Sequence, residues 1–159
     1  MDINKDWNII RQHFNKSFKS NFYVSIASVD TNNNPTVTPI GSLFLNDNQT
    51  GFYFEKFPSK LPLCENLNKN ICVLGVNSNR WFWIKSLFKG KFPNPPAIKL
   101  YGELGKKRKA TKKELERLNR RMRATKGLKG NTYLWKNMEF VREVYFEKAE
   151  KINLGKMTQ

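Results

Sequence analysis

The sequence places a hydroxyl and an amine, Ser59 and Lys60, where an apolar strand gives way to a helix. The strand ends in the run Phe52–Phe54, and Leu-bearing residues of helical character follow Pro58. A helix N-terminus offers unpaired backbone N–H groups and a partial positive charge, so this pair would suit a phosphate. The same two residues also fit a serine N-cap followed by a solvated lysine.

A second candidate for chemistry lies one strand earlier, at Thr38–Gly41. Pro39 cannot donate to a strand ladder, and a glycine such as Gly41 often marks a close approach to the backbone. The segment is therefore either a corner of a barrel or a strip of backbone against which a flat ring lies. In the second case it would form a planar platform next to the anion site at Ser59 and Lys60.

The other reactive side chains indicate no metal or redox centre. His13 is the single histidine and has no second His or Cys nearby in the sequence. Cys64 and Cys72 fit neither a C-x-x-C motif nor a zinc knuckle, and their apolar neighbours favour buried free thiols. No residue is singled out as a catalytic acid or base. We expect a cytoplasmic protein without a signal peptide or membrane span, because no apolar run approaches about 18 residues.

Positive charge is concentrated in one segment of the 159-residue chain. The formal net charge is +16, and residues 106–129 contain twelve Lys or Arg against two Glu. Such a segment could bind nucleic acid, steer anions toward a cleft, or form a solvated helix. Leu115, Leu118 and Met122 give it a core-facing stripe, and no aromatic residue lies within it to stack on bases. We therefore expect only weak DNA binding near physiological salt, and not a nucleic-acid partner.

The hydrophobic periodicity predicts a single, mainly β domain over residues 1–159. Apolar residues from Ile3 to Phe18 follow one face of a helix. Further helices are expected at 59–69 and from a capping box at Thr111 and Glu114 to about Ala124, with residues 80–96 irregular. Six antiparallel strands tend to close, so the prediction is a six-stranded antiparallel split barrel with flanking helices. The strands are expected at residues 22–30, 36–47, 51–55, 70–78, 97–109 and 139–152.

The order of these motifs resembles the pyridoxamine 5'-phosphate oxidase-like, FMN-binding split-barrel family. The similarity is carried by FYVSIASVDTNNNPTVTPIGSLFL and by TGFYFEKFPSKLPLCENLNKNICVLGV. These runs resemble the family's hairpin with its Thr-Pro strand, its aromatic strand, its Ser/Arg-Lys pair and its helix-to-strand exit. The resemblance covers residues 1–78, is weaker over AIKLYGELG, and does not extend beyond it.

The resemblance implies an FMN site and a homodimer whose second subunit completes that site. By this analogy, one strand faces the isoalloxazine ring, two residues lie near the phosphate, two more grip it, and an aromatic run comes from the other subunit. In that order, the implied residues are Thr38, Pro39, Ile40 and Gly41; Phe54 and Glu55; Ser59 and Lys60; and the run from Arg80 that includes Trp81 and Trp83.

Three departures from the family pattern limit the functional inference. Glu55 replaces a neutral hydroxyl, which would weaken phosphate binding unless the acid turns away or pairs with Lys56. Ser59 replaces a common Arg. The tail at 139–159 has no Trp and no His, so it lacks the E-[FY]-W…R-x-H-[DNE]-R pattern of the vitamin B6 oxidase. We therefore expect a flavin-dependent oxidoreductase acting on another small molecule.

Two alternatives remain open from the sequence. One is a non-enzymatic module that uses residues 106–129 on nucleic acid. The other is a split barrel that binds a different planar cofactor, such as a deazaflavin or haem.

Overall fold

One curled antiparallel sheet of seven strands dominates the computed structural model, which describes residues 1–57, Leu61 and residues 68–159. The strand order is β2-β1-β5-β6-β7-β4-β3. The strands are β1 Val24–Val29, β2 Pro35–Ile40, β3 Leu43–Leu45, β4 Thr50–Phe54, β5 Asn70–Val76, β6 Ala97–Lys109 and β7 Phe140–Lys151.

The two edge strands of this sheet are consecutive in the chain. β2 ends at Ile40 and β3 begins at Leu43, so only Gly41 and Ser42 separate the opposite edges. The three Cα–Cα steps from Ile40 to Leu43 span at most about 11 Å, so the sheet must curl until its edges approach each other. The result is a half-barrel, and the short link between its edges is the segment that the sequence marked with Pro39 and Gly41.

The prediction of six strands in a meander is wrong at this link. Residues 36–47 were expected as one strand, but the chain breaks after Ile40, which pairs with Val24 of β1. Beyond the break, Leu43 pairs with Tyr53 of β4 instead. Proline at position 39 cannot extend a two-sided ladder, and Gly41, which has no side chain, lies close to Trp135 and to the Phe22 carbonyl. One expected strand therefore becomes β2 and β3.

The first helix, α1 Trp7–Asn21, confirms the predicted apolar face. It buries Trp7, Ile10 and Phe14 against the sheet, in one cluster with Ile26 and Val73. Burial of three such side chains stabilises the fold by about 1.5–3 kcal/mol each. Because α1 covers one face of the half-barrel, it also fixes the position of its own C-terminal turn beside the β2–β3 link.

Three more helices follow: α2 Arg80–Lys89, α3 Lys112–Arg121 and α4 Lys129–Trp135. The predicted capping box of α3 is confirmed, with Thr111 Oγ1 accepting from the Glu114 N–H at 3.3 Å and Glu114 accepting from the Thr111 N–H at 2.8 Å. The expectation of an irregular segment at 80–96 is wrong for residues 80–89, which form α2, and right for residues 90–96. Asn79 caps α2 at its N-terminus, and Gly90 ends it with φ +63°.

A second apolar cluster lies under α3 and supports the site described below. Its buried members come from β3, β4, α3 and β7 together with the segment before β7. The buried side chains of this cluster are Phe44, Phe52, Phe54, Leu118, Met138 and Val141. The core-facing stripe of Leu115, Leu118 and Met122 is confirmed, since the first and last of these pack against the cluster. Among the described residues, no helix is long and apolar enough to cross a bilayer.

Candidate functional site

The end of β2 is held beside the end of β4 by one buried serine. Ser42 Oγ accepts a hydrogen bond from the Phe54 N–H at 3.1 Å and donates to the Phe54 carbonyl at 3.2 Å. Two bonds from one hydroxyl fix the β2–β3 link against the last residue of β4. The segment Thr38–Gly41 and Phe54, which the sequence assigned to opposite ends of one ligand, therefore lie at the same place.

A cavity of about 230 Å³ opens at this junction. Most of its lining residues are apolar or aromatic, and several of them belong to the end of the edge strand β2. Within the described residues, β2 pairs with β1 alone, so alternate N–H and C=O groups on its other edge have no strand partner. An apolar slot with free backbone polar groups along one wall suits a flat heteroaromatic ring. Its lining residues are Thr38, Pro39, Ile40, Gly41, Ser42, Phe54, Phe57, Trp135 and Met138.

Trp135 closes the cavity at Gly41. A Cβ atom at Gly41 would lie 3.0 Å from Trp135 Cη2 and 3.2 Å from the Phe22 carbonyl oxygen. Even a methyl group at position 41 would therefore require the indole to shift by a few tenths of an ångström. Lys56 holds the end of α4 in place, because its Nζ donates to the carbonyls of Lys136 at 2.7 Å and Tyr133 at 3.4 Å.

Sequence reasoning missed Trp135, Phe57 and Met138. Trp135 sits in the stretch NTYLWKN, and a tryptophan there, just after the basic segment, was a usable signal that something packs on it. Its partner Gly41 is 94 positions away, so no local pattern could identify the contact. The sequence predicted that the ring of a ligand would lie against Gly41. In the structure, the indole of Trp135 lies there.

Glu55 has a different neighbourhood from the one expected. It is buried and does not line the cavity, and it pairs with Arg142 and Lys107 and not with Lys56. Arg142 Nε donates to one carboxylate oxygen and Arg142 Nη2 to the other at 3.2 Å, while Lys107 Nζ lies 3.0 Å from Oε1. Tyr53 Oη donates to Oε2 at 3.4 Å. The acid is therefore neutralised inside the protein.

The protonation of Glu55 follows from these contacts. Burial alone would raise the pKa of Glu55, but hydrogen bonds and charge from Arg142 and Lys107 outweigh burial and lower the pKa below its ordinary value. Burial and the Glu55 charge raise the pKa of Tyr53 well above its usual range. At neutral pH the network thus holds an ionised acid and a neutral phenol, and it leaves no free negative charge at the end of β4.

Four further residues assigned from the sequence lie elsewhere or outside the described chain. Ser59 and Lys60 fall outside the described residues. Trp81 and Trp83 are on α2 and do not line the cavity. The Trp81 side chain is 69% exposed, whereas Trp83 Nε1 donates to the Asn77 carbonyl at 2.6 Å. The structure therefore brings together Thr38–Gly41 and Phe54. Within one chain, Trp81 and Trp83 do not join them at the cavity.

Metal-binding residues are not clustered in the described chain. The part of the chain at 1–57, Leu61 and 68–159 contains no group of three or more His, Cys, Asp and Glu side chains that could hold a metal ion. His13 is buried, and its Nε2 lies 2.8 Å from the Gly75 carbonyl oxygen. Burial lowers the pKa of His13, with the charge of Lys16 adding to this effect against the Gly75 hydrogen bond.

Comparisons with known proteins identify the fold. No family model matches this sequence, and no curated protein matches it. Among solved structures, an FMN-binding protein from Syntrophomonas wolfei superposes with a TM-score of 0.59 at 14% identity, covering 96% of both chains. The haem storage protein HutZ from Vibrio cholerae gives 0.56 at 11% identity over 95% of both chains. An F420 reductase gives 0.53 at 14% identity, over 82% of this chain and 90% of that one.

The fold is therefore the split barrel of FMN-binding and pyridoxamine 5'-phosphate oxidase-like proteins, as the sequence motifs predicted. The three neighbours named above differ in the cofactor that their names give. At these identities the likeness establishes the architecture. The choice among cofactors has to come from the residues around the cavity.

Proposed function

We propose that this chain binds FMN in the cavity between β2 and Trp135 and is a flavin-dependent oxidoreductase. The observation that carries the proposal is that the end of the edge strand β2 and Gly41 line an apolar slot together with Phe54 and Trp135. A ring system with polar atoms on one edge and apolar faces matches such a slot. The S. wolfei neighbour, named as an FMN-binding protein, supports the same choice of cofactor.

The residues of this chain would contribute binding and orientation. FMN, when bound, supplies hydride or electron transfer, and the protein tunes and shields it. Backbone N–H and C=O groups of β2 would hold the polar edge of the ring, and Trp135 would cover the ring and exclude water. Ser42 keeps the platform rigid through its two bonds to Phe54. No described residue is assigned to proton transfer, and the substrate is a small molecule of unidentified class.

The anion site at Ser59 and Lys60 is part of this proposal, and Lys60→Ala tests it. Loss of one charge-assisted contact to the phosphate should cost roughly 1.5–3 kcal/mol and weaken FMN by about tenfold or more. Calorimetric titration of FMN measures the change, and Lys69→Ala serves as a control that also removes one exposed lysine near this segment. Equal FMN affinity in the wild type and Lys60→Ala would show that the phosphate lies elsewhere.

A homodimer is the second part of the proposal. The cavity of about 230 Å³ is smaller than the 300–1,000 Å³ typical of ligand pockets, which favours completion of the site by a second chain. The helix α2 carries apolar side chains on one face, with Trp81 69%, Ile84 52% and Phe88 95% exposed. A stripe of this kind suits an isologous interface between two copies.

We expect twice the chain mass by light scattering at micromolar concentration with FMN present. Introducing two charges on the α2 stripe, Trp81→Glu with Phe88→Glu, should shift the protein toward monomer and weaken FMN binding. Gln12→Glu, which adds an exposed acid on α1, should leave the mass unchanged. A monomeric mass for the wild type would overturn the dimer proposal.

The alternative cofactors differ in what they require of this cavity. Haem needs an axial ligand, and the single histidine is buried against the Gly75 carbonyl on the opposite side of α1 from solvent. A deazaflavin has the same tricyclic shape as a flavin and would use the same slot. It is the closer competitor, and it absorbs visible light at a different wavelength from FMN.

The nucleic-acid alternative rests on residues 106–129. Two of these cations are already paired with acids inside the fold: Lys107 with Glu55, and Arg108 with Glu114 and Glu143. Cations that are already paired with acids are less available to contact the phosphates of a nucleic acid. The structure therefore gives no added reason to prefer this function.

A further inference from the structure

A second and larger cavity, of about 690 Å³, lies between the C-terminal turns of α1 and α3. We refer to it as the arginine groove. It is separate from the cavity at Thr38–Gly41, and its volume is within the range of small-molecule sites. Its walls combine aromatic rings with cations, and none of the described residues that line it is acidic. They are Asn15, Phe18, Lys19, Phe22, Phe44, Arg117, Arg120, Arg121, Met122, Ala124 and Thr125.

Arg121 forms the floor of the arginine groove. Its guanidinium carbon lies 3.5 Å from the centre of the Phe44 ring and 4.3 Å from that of Phe18. Its Nη1 donates to the Leu43 carbonyl, and within the described part of the chain this is its single hydrogen bond and no carboxylate pairs with it. A guanidinium has five N–H donors, so most of them remain available.

Among the described residues, the neighbouring Arg117 also lacks an acidic partner. It donates to the Leu45 carbonyl at 2.8 Å and to Asn46 Oδ1 at 2.9 Å, and both acceptors are uncharged. The two acids whose charges act on Arg117 are already paired: Asp47 with Arg11 at 2.7 Å, and Glu114 with Arg108 at 2.7 Å.

Two partly buried cations therefore stand side by side without an anion among the described residues. Burial lowers the pKa of Arg121 to about 9, and the charge of Arg117 adds to this effect. Desolvated positive charge without a counter-charge is unfavourable, and a bound anion would relieve it. The fold thus maintains an electrostatic cost that a ligand with a negative group can offset.

Phe22 supplies an aromatic wall to the same groove. It follows α1 in a left-handed conformation with φ 64°, and its side chain is 70% exposed. Such a backbone conformation is uncommon for a bulky residue, and an exposed ring there gains little from the core. Phe22 lines the groove together with Arg117, Arg121 and the half-buried Phe18, whose ring centre lies 4.3 Å from the guanidinium carbon of Arg121.

We propose that the arginine groove binds a small aromatic anion, a flat ring that carries a phosphate or carboxylate group. The anionic group is held by Arg117 and Arg121 through charge-assisted hydrogen bonds, and the ring packs against Phe18 and Phe22. The site does not depend on the proposed flavin, because its residues do not include Thr38–Gly41 or Trp135.

The test is calorimetric titration of the full chain with 2-naphthyl phosphate. We expect saturable binding that is at least tenfold tighter than that of 2-naphthol or of inorganic phosphate, since each of these carries only half of the recognised chemistry. Arg121→Gln keeps a donor for Leu43 and should weaken the probe at least tenfold. Arg123→Gln, a matched loss of charge outside the groove, should change the affinity less than twofold.

Two further variants protect the test against ambiguous results. Phe22→Asn removes the exposed ring in a residue type that tolerates a left-handed conformation, and it should weaken 2-naphthyl phosphate at least threefold while sparing inorganic phosphate. Thr38→Phe, which crowds the first cavity three residues before Gly41 and its contact with Phe22, should bind the probe normally. If instead this variant loses the probe, the ligand occupies the flavin cavity and the proposal is wrong.

Other outcomes would also overturn the arginine groove as a small-anion site. One is the absence of binding at probe concentrations up to millimolar. A second is an affinity for the probe in Arg121→Gln and in Phe22→Asn that equals that of the wild type. A third is displacement of the probe by a short single-stranded DNA with sub-micromolar affinity at about 150 mM salt. That result would assign the groove to nucleic acid, for which aromatic rings beside cations also provide a binding surface.

Discussion

Glu55→Gln should lower the free energy of unfolding by about 3–5 kcal/mol, which is a large share of the stability of a domain this size. The glutamine keeps the shape of the side chain but removes the negative charge that Arg142 and Lys107 share. Arg142 is almost fully buried, so its guanidinium would lose a bidentate anionic partner in a region of low polarity. Urea denaturation measures the effect.

The pH dependence gives this prediction a second readout. Because the pKa of Glu55 is lowered in the folded state, its contribution to stability is present above the ordinary carboxylate value of 4.5 and is lost as pH falls through the lowered pKa. The gap in stability between wild type and Glu55→Gln should therefore be widest near neutral pH and should narrow below about pH 4. Glu116→Gln, an exposed acid on α3, should stay within about 0.5 kcal/mol of wild type. Equal stability of Glu55→Gln and wild type at pH 7 would contradict the network.

Gly41→Val should weaken FMN binding at least 100-fold, or about 2.7 kcal/mol. Gly41 does not adopt a left-handed conformation, so valine fits the backbone and the effect is steric. Its Cβ would already lie 3.0 Å from Trp135 Cη2 and 3.2 Å from the Phe22 carbonyl oxygen, and the two methyl groups reach further into the slot. The added side chain would occupy the space that the ring requires or push Trp135 across it.

Flavin fluorescence titration measures this loss, and thermal unfolding checks that the variant is folded. Val37→Thr is the matched control, since Val37 is an exposed residue of the same strand and does not line the cavity. A folded Gly41→Val protein that binds FMN as tightly as wild type would show that the ring does not lie on this strand.

Local patterns in the sequence predicted the elements that depend on neighbouring residues. The face of α1 and the Thr111–Glu114 capping box are set by spacings of three and four residues, and both are confirmed. The helix α2 was missed, although Asn79 and Gly90 at its ends are typical helix caps. Its aromatic composition concealed a helix whose apolar side chains are largely exposed.

Contacts between distant residues could not be predicted in the same way. The break between β2 and β3 depends on pairing with different strands, β1 and β4, which the periodicity of one segment does not encode. Glu55 was assigned to the phosphate side from its position in a motif, but its partner Arg142 lies 87 residues away. Trp135 was missed for the same reason, because its contact Gly41 is 94 positions away in the sequence.

The helix α3 in the basic segment has one feature that the sequence predicted and one that it did not. The sequence predicted a solvated α3 with an apolar stripe, and the stripe is confirmed. However, Arg117 contacts the ring of Phe44, and Arg121 contacts the rings of Phe44 and Phe18. These rings belong to β3 and α1, so the local sequence of α3 could not predict the contacts. The absence of aromatic residues between 106 and 129 therefore did not mean that the arginines lack aromatic neighbours.

The central claim is that this chain binds FMN on the Thr38–Gly41 strand, and a visible absorption spectrum tests it most directly. The protein is purified, mixed with excess FMN and desalted before the spectrum is recorded, so that cofactor lost during purification is replaced. We expect a flavin spectrum with about one FMN per chain, released on denaturation. A chain that retains no flavin, or that carries a haem or deazaflavin band and rejects FMN, would contradict the claim.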